Sequence, residues 1–371
     1  MTPDRAWAEE AFELLLRRVG RTAGQVGDRF PLHADPADGR WTTTGRGSWA
    51  GGFWAGLLWL RARRTGRAED RASASAVTAR LAPWAEADTA TRGLILWYGT
   101  ALATGDPAAD ELRRRAAEAA LASWDPALGV VPWGAAFGGA RLRARADGVP
   151  GLVPLLARAG PAGEAAAAAH LRRHLDLCLP RAGASRPCPA WSWDAVRGWE
   201  PDAEPAPGWS RGEAWLLLAA ADAMTEVTSR SRPAHARAGG ADWAADAVEL
   251  LLDRCGFLTG PLVPPADTGR PDGPLDTSAA AITAVALLKL ARSVEAPRAA
   301  VCEARAEAIL RRLTSPTHLT RPDGPRPAGM LLDGCYDADR GTGVRHELVW
   351  GTFFLALALS ALLGGVDLTR V

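Results

Sequence analysis

The chain has 371 residues, 48% of them hydrophobic and 23% charged, the balance of a globular protein and not of a disordered one. Forty-three basic and 42 acidic side chains leave a net charge of +1, so bulk electrostatics offer nothing to nucleic acid or to an anionic membrane surface. No apolar run reaches the roughly 18 residues needed to span a bilayer. Met1 to Arg18 reads as an amphipathic helix with Glu9, Glu10 and Glu13, not as a secretion signal. The five cysteines (Cys178, Cys188, Cys255, Cys302, Cys335) are odd in number and none are at CxxC spacing. Neither a zinc site nor a disulfide framework is therefore expected, and a reduced cytoplasm fits. Lys289 is the only lysine, which with the abundance of alanine reflects coding bias. Sixteen tryptophans against two tyrosines call for a reason, either core packing or stacking on sugar rings.

Taken in chain order, apolar faces and Gly/Pro breaks predict about twelve helices. They fall near residues 3–20, 48–65, 68–84, 90–104, 107–123, 148–158, 161–178, 210–228, 240–254, 277–293, 296–313 and 346–364. Strand-like alternation is rare. Some connections are short, such as Gly105-Asp106-Pro107; others are long and rich in Gly, Pro and Trp, at 21–47, 124–147, 179–209, 255–276 and 314–345. The even-numbered helices follow the long or polar connections and open near positions 49, 91, 147, 209, 276 and 350, at intervals of 42, 56, 62, 67 and 74 residues. Short loops make each pair an antiparallel hairpin, so the even helices start at one end. They are also the more apolar, as in Leu216-Leu217-Leu218-Ala219-Ala220 and Phe353 to Leu363. A helix apolar on most sides is buried. The expected fold is all-α, an (α/α)6 barrel of six inner and six outer helices in a single domain over 1–371.

Six inner N-termini would point unpaired N–H groups and partial positive charge at one mouth, which suits an anionic or polyhydroxylated ligand. Ser, Thr and Asp at these starts, Asp276 and Thr277 among them, have two readings: helix caps or ligand contacts. Asp147 follows a loop containing Arg141, Arg143 and Arg145 and opens helix six, either as its cap or as a general acid among tryptophans. In Trp209-Ser210-Arg211-Gly212-Glu213-Ala214-Trp215, Arg211 adds positive charge to an already positive helix end. It is either an anion clamp or paired internally with Glu213 or Glu204. His170 and His174 lie one turn apart on outer helix seven, where solvent exposure is expected. His346-Glu347 either caps helix twelve or reaches the mouth. Phosphate-loop, dinucleotide, HExxH, GxSxG and DDxxD motifs are absent in any supporting context.

These segments resemble the unsaturated glucuronyl hydrolases and the related unsaturated rhamnogalacturonyl hydrolases. The resemblance covers most of the chain. It rests on Trp49-x-x-Gly52-Phe53-Trp54-x-Gly56, on Asp147, on Trp209-Ser210-Arg211-Gly212-x-Ala214-Trp215, on Asp276-x-Ser278-Ala279-Ala280-Ala281-Ile282, and on Leu348-x-Trp350-Gly351. The resemblance implies an (α/α)6 barrel and metal-free, cofactor-free hydration of a 4,5-unsaturated uronic acid residue. An aspartate protonates the enol-ether double bond and then helps water add. By position Asp147 would be that acid/base, and Arg211 would face an anionic substrate. Trp49, Trp54, Trp209 and Trp215 would wall the pocket, with Asp276, Ser278 and Trp350 also contributing to substrate binding.

The chain also departs from that pattern. Where the family has a second aspartate, in His-Asp-x-Gly-Phe, this chain reads Ala90-Thr91-Arg92-Gly93-Leu94; Thr91 can hydrogen-bond but carries no charge near pH 7. The connection before helix eight, Pro187 to Trp193, lacks the family's histidine and Asp-Gly pair, and Glu213 stands where glutamine is usual. Thr91 and Glu213 are therefore counted with Asp147 as candidate catalytic positions. Three readings follow: a cytoplasmic hydrolase of the unsaturated uronyl type acting on a small anionic sugar; a repurposed barrel enzyme of specialised metabolism, performing elimination or cyclisation on an anionic molecule; and a non-catalytic barrel that binds a sugar or a protein. A homodimer is compatible with each.

Overall fold

A computed structural model describes residues 5–179, 187–229 and 242–371. The expected starts of the first helix at residue 3 and the ninth at 240 lie outside the described residues. In chain order the helices are α1 (Ala6–Val26), α2 (Gly51–Thr65), α3 (Ala68–Ala79), α4 (Tyr98–Thr100), α5 (Pro107–Ala122) and α6 (Leu152–Ala157). They continue with α7 (Gly160–Cys178), α8 (Ser210–Ser229), α9 (Asp242–Arg254), α10 (Thr277–Leu290), α11 (Arg298–Leu313) and α12 (Val349–Leu362).

The even helices form the inner ring. α2 packs on α4, the turn before α4 (93–97) on α6, then α6 on α8, α8 on α10, α10 on α12, and α12 closes the circle against α2. The odd helices lie outside this ring: α3 covers α2, α7 covers α6 and α8, and α11 covers α10 and α12. Sequence dictates the layering. Every residue of α10 and of α12 is buried, as expected for helices apolar on all sides. α1, by contrast, is amphipathic, burying Leu15 and Val19 while Glu9 and Glu13 pair with Arg64 at the surface. The (α/α)6 barrel is the observed architecture.

Two inner helices are shorter than their periodicity predicts. In place of a helix over 90–104, residues Gly93–Trp97 wind as a π-helical turn that runs into α4. The helix expected over 148–158 starts only at Leu152. Gly151, at the N-terminal cap position, takes a left-handed φ of 69° that interrupts the helical backbone. Asp147 is left in a separate 3-10 turn, Ala146–Gly148, ahead of α6.

The long connections hold short strands that alternation did not disclose. β1 (Phe30–Ala34), β2 (Trp41–Thr44), β6 (Gly334–Asp337) and β7 (Thr342–Leu348) form an antiparallel sheet in the order β2-β1-β7-β6. β3 (Arg143–Arg145), β4 (Ala190–Asp194) and β5 (Gly198–Pro201) form a second, with Arg145 opposite Ala190. Alternation along β3 places Arg143 and Arg145 on one face. Ala144, on the other, is buried in a small cluster with Leu128 and Val130, flanked by Trp193 and Trp199.

Candidate functional site

A cavity of about 730 Å³ opens at the end where the inner helices begin. Its walls come from all six connections that lead into them: Ser48 and Trp49, Thr91, Trp133 to Asp147, Glu204 to Trp209, Ala266 to Pro274, and Cys335 to Thr342. Trp215, one turn into α8, is buried and also contributes to the lining.

Asp147 lies on this wall and caps nothing. The N-terminal cap position of α6 is Gly151, and both Asp147 oxygens accept from Arg145, from Nε at 2.9 Å and Nη2 at 3.0 Å. The side chains of the pair are 19% and 18% exposed, so solvent still reaches both. The Arg145 guanidinium carbon lies 4.4 Å from the centroid of the Trp133 ring. Burial works against the Arg145 charge, but the adjacent Asp147 carboxylate outweighs it and the pKa ends above its ordinary value.

Behind Asp147 stand His170 and His174, for which the sequence pattern predicts solvent exposure. Both are buried, because α7 turns this face toward the inner ring. His170 accepts from the Val131 N–H at 3.0 Å through Nδ1 and donates from Nε2 to the Gly148 carbonyl. His174 donates through Nδ1 to the His170 carbonyl at 2.8 Å. Burial drives the pKa of His170 well below 6.5 and that of His174 down to about 4, so both rings are neutral near pH 7.

Thr91 sits in the cavity wall, its hydroxyl 2.9 Å from that of Thr89. Trp49 donates its indole N–H to the Tyr336 hydroxyl at 3.2 Å, and Trp209 flanks the opening of α8. Asp88, a few residues before Thr91, pairs with Arg141 on the surface.

Arg211 lines the cavity, but its guanidinium is engaged elsewhere. It pairs with buried Asp276 and donates to the carbonyls of Cys335 and Tyr336, not to Glu213 or Glu204. Asp276 in turn accepts from the Ser278 hydroxyl at 2.6 Å and its N–H at 3.0 Å, and Ser278 accepts from the Trp350 indole at 3.0 Å. This chain of contacts joins the starts of α8, α10 and α12. An arginine at a helix N-terminus is tolerated here because a buried carboxylate answers it.

Several expected wall residues are thus set back. Asp276, Ser278 and Trp350 are completely buried, and Trp54 is packed in the core; none lines the cavity. Glu213 faces a separate cavity of about 300 Å³ with Cys255, Phe257 and Thr283, because it projects from α8 away from Trp209 and Trp215. Glu347 neither caps α12 nor reaches the mouth; it is buried against Arg18 at 2.8 Å.

Sequence reasoning missed the aromatic walls Trp133, Phe137 and Tyr336 and the charged rim Asp267, Arg270, Asp337, Asp339 and Arg340. Their only signal was membership of the long Gly-, Pro- and Trp-rich connections. Arg270–Asp339 at 2.7 Å and Arg340–Glu204 at 3.2 Å join three of these connections across exposed surface.

No family model and no curated protein sequence matches the chain. Solved structures do. An unsaturated glucuronyl hydrolase specific for heparin superposes with a TM-score of 0.79 at 20% identity, over 98% of this chain and 99% of that one. The unsaturated glucuronyl hydrolase of Bacillus sp. GL1, responsible for the degradation of glycosaminoglycan, gives 0.77 at 22%, over 96% of each chain. The Streptococcus agalactiae enzyme gives 0.77 at 17%, over 98% and 94%. The ring order, the helix pairing and these near full-length superpositions agree that this chain has the helical barrel fold of the unsaturated glucuronyl hydrolases.

Proposed function

We propose that this chain is an enzyme of the unsaturated uronyl hydrolase type, acting on a small sugar that carries a 4,5-unsaturated uronic acid residue. The observation that carries the reading is Asp147: a solvent-reached carboxylate in an aromatic-walled cavity at the mouth of the barrel. Its neighbours by fold are hydrolases of that name, which supports the same chemical class here.

In this mechanism Asp147, carrying a proton, delivers it to C4 of the enol ether, and positive charge develops at C5 and the ring oxygen. Water adds at C5 while the Asp147 carboxylate takes up its proton, so the group ends as it began. The hemiketal then opens and the neighbouring sugar leaves. Trp49 and Trp209, partly buried in the cavity wall, supply aromatic surface for the sugar, and the buried Trp215 backs them. Thr91, where the resembled family has a second aspartate, contributes a hydroxyl and no charge.

The test follows the ultraviolet absorbance of the enol ether in unsaturated uronyl disaccharides. Turnover is expected, with Asp147→Asn slower by about a hundredfold or more and its unfolding midpoint unchanged. Equal rates in the two proteins, or no loss of absorbance across a broad substrate panel, would overturn the reading. The second outcome would favour elimination or ring closure on the same scaffold, a reading that the uncharged Thr91 also supports.

A further inference from the structure

Four arginines line the cavity, and three of them are engaged elsewhere. Arg211 is held by Asp276 and two backbone carbonyls. Arg270 and Arg340 stand at the rim, 63% and 71% exposed, each in ion pairs between loops. Arg145 differs. It is set in the wall against Trp133, and its only hydrogen-bond partner among the described residues is Asp147, reached through Nε and Nη2. A guanidinium has two edges that each fit a planar carboxylate with two parallel hydrogen bonds. Asp147 occupies one; the Nη1 edge is unused.

We propose that the unused edge of Arg145 receives the carboxylate of the bound sugar, so that Arg145 lies between the uronate and Asp147, and that this binding loads one proton onto Asp147. The inference rests on the preceding reading in taking the ligand to be a uronide. Its physical basis is charge. Before binding, one guanidinium answers one carboxylate; afterwards two carboxylates share it a few ångströms apart in a partly desolvated wall. Like charges so placed do not both remain ionised, and one takes up a proton.

The groups facing the pair do not supply the missing positive charge. They are Asp202 on the connection after β5, itself held by Arg143, and Tyr336 on β6. From α7 come His174 and the Cys178 thiol, whose burial keeps both neutral, with His170 beside them on the Gly148 carbonyl. Thr91 adds only a hydroxyl. The compensating proton therefore comes from solvent and goes to an Asp147 oxygen, where the hydration step uses it. On this account Arg145 is a positioning residue that couples recognition of the acid sugar to arming of the catalytic acid. Both Asp147 oxygens accept from Arg145 when the cavity is empty.

The experiment is calorimetric titration with methyl β-D-glucuronide, a saturated uronide that offers no double bond, in two buffers of different protonation enthalpy. Methyl β-D-glucoside serves as the uncharged control. The wild-type protein is expected to take up close to one proton per glucuronide bound, with affinity rising as pH falls by roughly tenfold per unit at the limit. The glucoside should bind without uptake. Asp147→Asn should still bind glucuronide, with no proton uptake and no pH dependence. Arg145→Gln should lose its preference for glucuronide over glucoside, and Arg145→Lys should keep part of it, with circular dichroism reporting that each variant is folded. Absence of glucuronide binding, binding without proton uptake, or full preference in Arg145→Gln would overturn the inference. Turnover of unsaturated disaccharides without proton uptake overturns it alone. Glucuronide bound with proton uptake but no turnover overturns the hydrolase reading and leaves this one standing.

Discussion

The charged and polar residues of this chain are distinguished by what lies opposite them. Arg211 and Arg145 both sit beside a tryptophan near the start of an inner helix. Arg211 is 3% exposed against a buried aspartate, whereas Arg145 lines the cavity with Nε and Nη2 on Asp147 and no described residue on Nη1. The same residue type is framework in one case and, in the proposed uronate site, recognition element in the other. His170 and His174 make the point from the opposite side, as imidazoles that burial holds neutral. Their depressed pKa values fix the sign of a pH effect. Unfolded, each ring titrates near 6.5; folded, His174 resists its proton down to about 4, and burial likewise holds His170 well below its ordinary value. Stability from these rings is complete above about pH 6.5 and is lost as the pH falls, because only the unfolded chain binds protons there. The share of His174 is about 3 kcal/mol. Urea unfolding measured from pH 7 to pH 4 should show a smaller loss in His174→Gln than in the wild-type protein; equal losses would show that the ring titrates freely in the fold.

Elements long enough to complete several turns are legible in the amino-acid sequence. Eight of the twelve expected helices lie within three residues of their expected bounds, because an apolar face repeated over several turns gives a clear 3.6-residue period; α1 runs six residues further than expected and α3 stops five short. At the site itself α6 starts late behind left-handed Gly151, and α4 is shortened because Gly93–Trp97 winds as a π-helical turn. The strands escaped notice for a related reason. At 3 to 7 residues, and paired with segments as distant as β1 is from β7, they carry no period long enough to detect. Glycines set how closely the short elements pack. A Cβ on Gly52 would overlap the carbonyl oxygens of Leu94 and Ile95 in the π-helical turn, and one on Gly93 would overlap the backbone nitrogen of Leu152. These are backbone atoms and cannot swing aside. Gly52→Ala is therefore expected to destabilise the protein by about 2 kcal/mol or more, read as a lower urea midpoint with an unchanged slope. A midpoint equal to wild type would mean that the first three inner helices can separate at little cost.

Across the whole molecule, the inner helices form a closed circle, with α12 against α2, over one contiguous apolar core. No boundary divides it into halves that would each keep an inner layer covered, so the expected single domain should unfold cooperatively. Tryptophan fluorescence and far-ultraviolet circular dichroism are expected to lose signal at the same denaturant concentration. Separated transitions would mean that the ring opens before it melts. The closed ring also explains why the mouth gathers residues from six connections that lie far apart in sequence.

Read alone, the amino-acid sequence determined the helix pairs, the inner and outer layers and the end of the barrel at which Asp147 would lie. Each of these follows from local hydrophobic period and from chain breaks, which act over one or two turns. Only the tertiary structure decided which side chains face the cavity. Trp54, Asp276, Ser278 and Trp350 went to the framework, Glu213 to a second cavity, and Arg145, Trp133 and Tyr336 to the wall. The reason is physical: a buried charge must find its partner across the fold, and the partner of Arg211 stands 65 residues away at Asp276. No spacing along the chain encodes that meeting, whereas the spacing of apolar residues encodes the helices that bring it about.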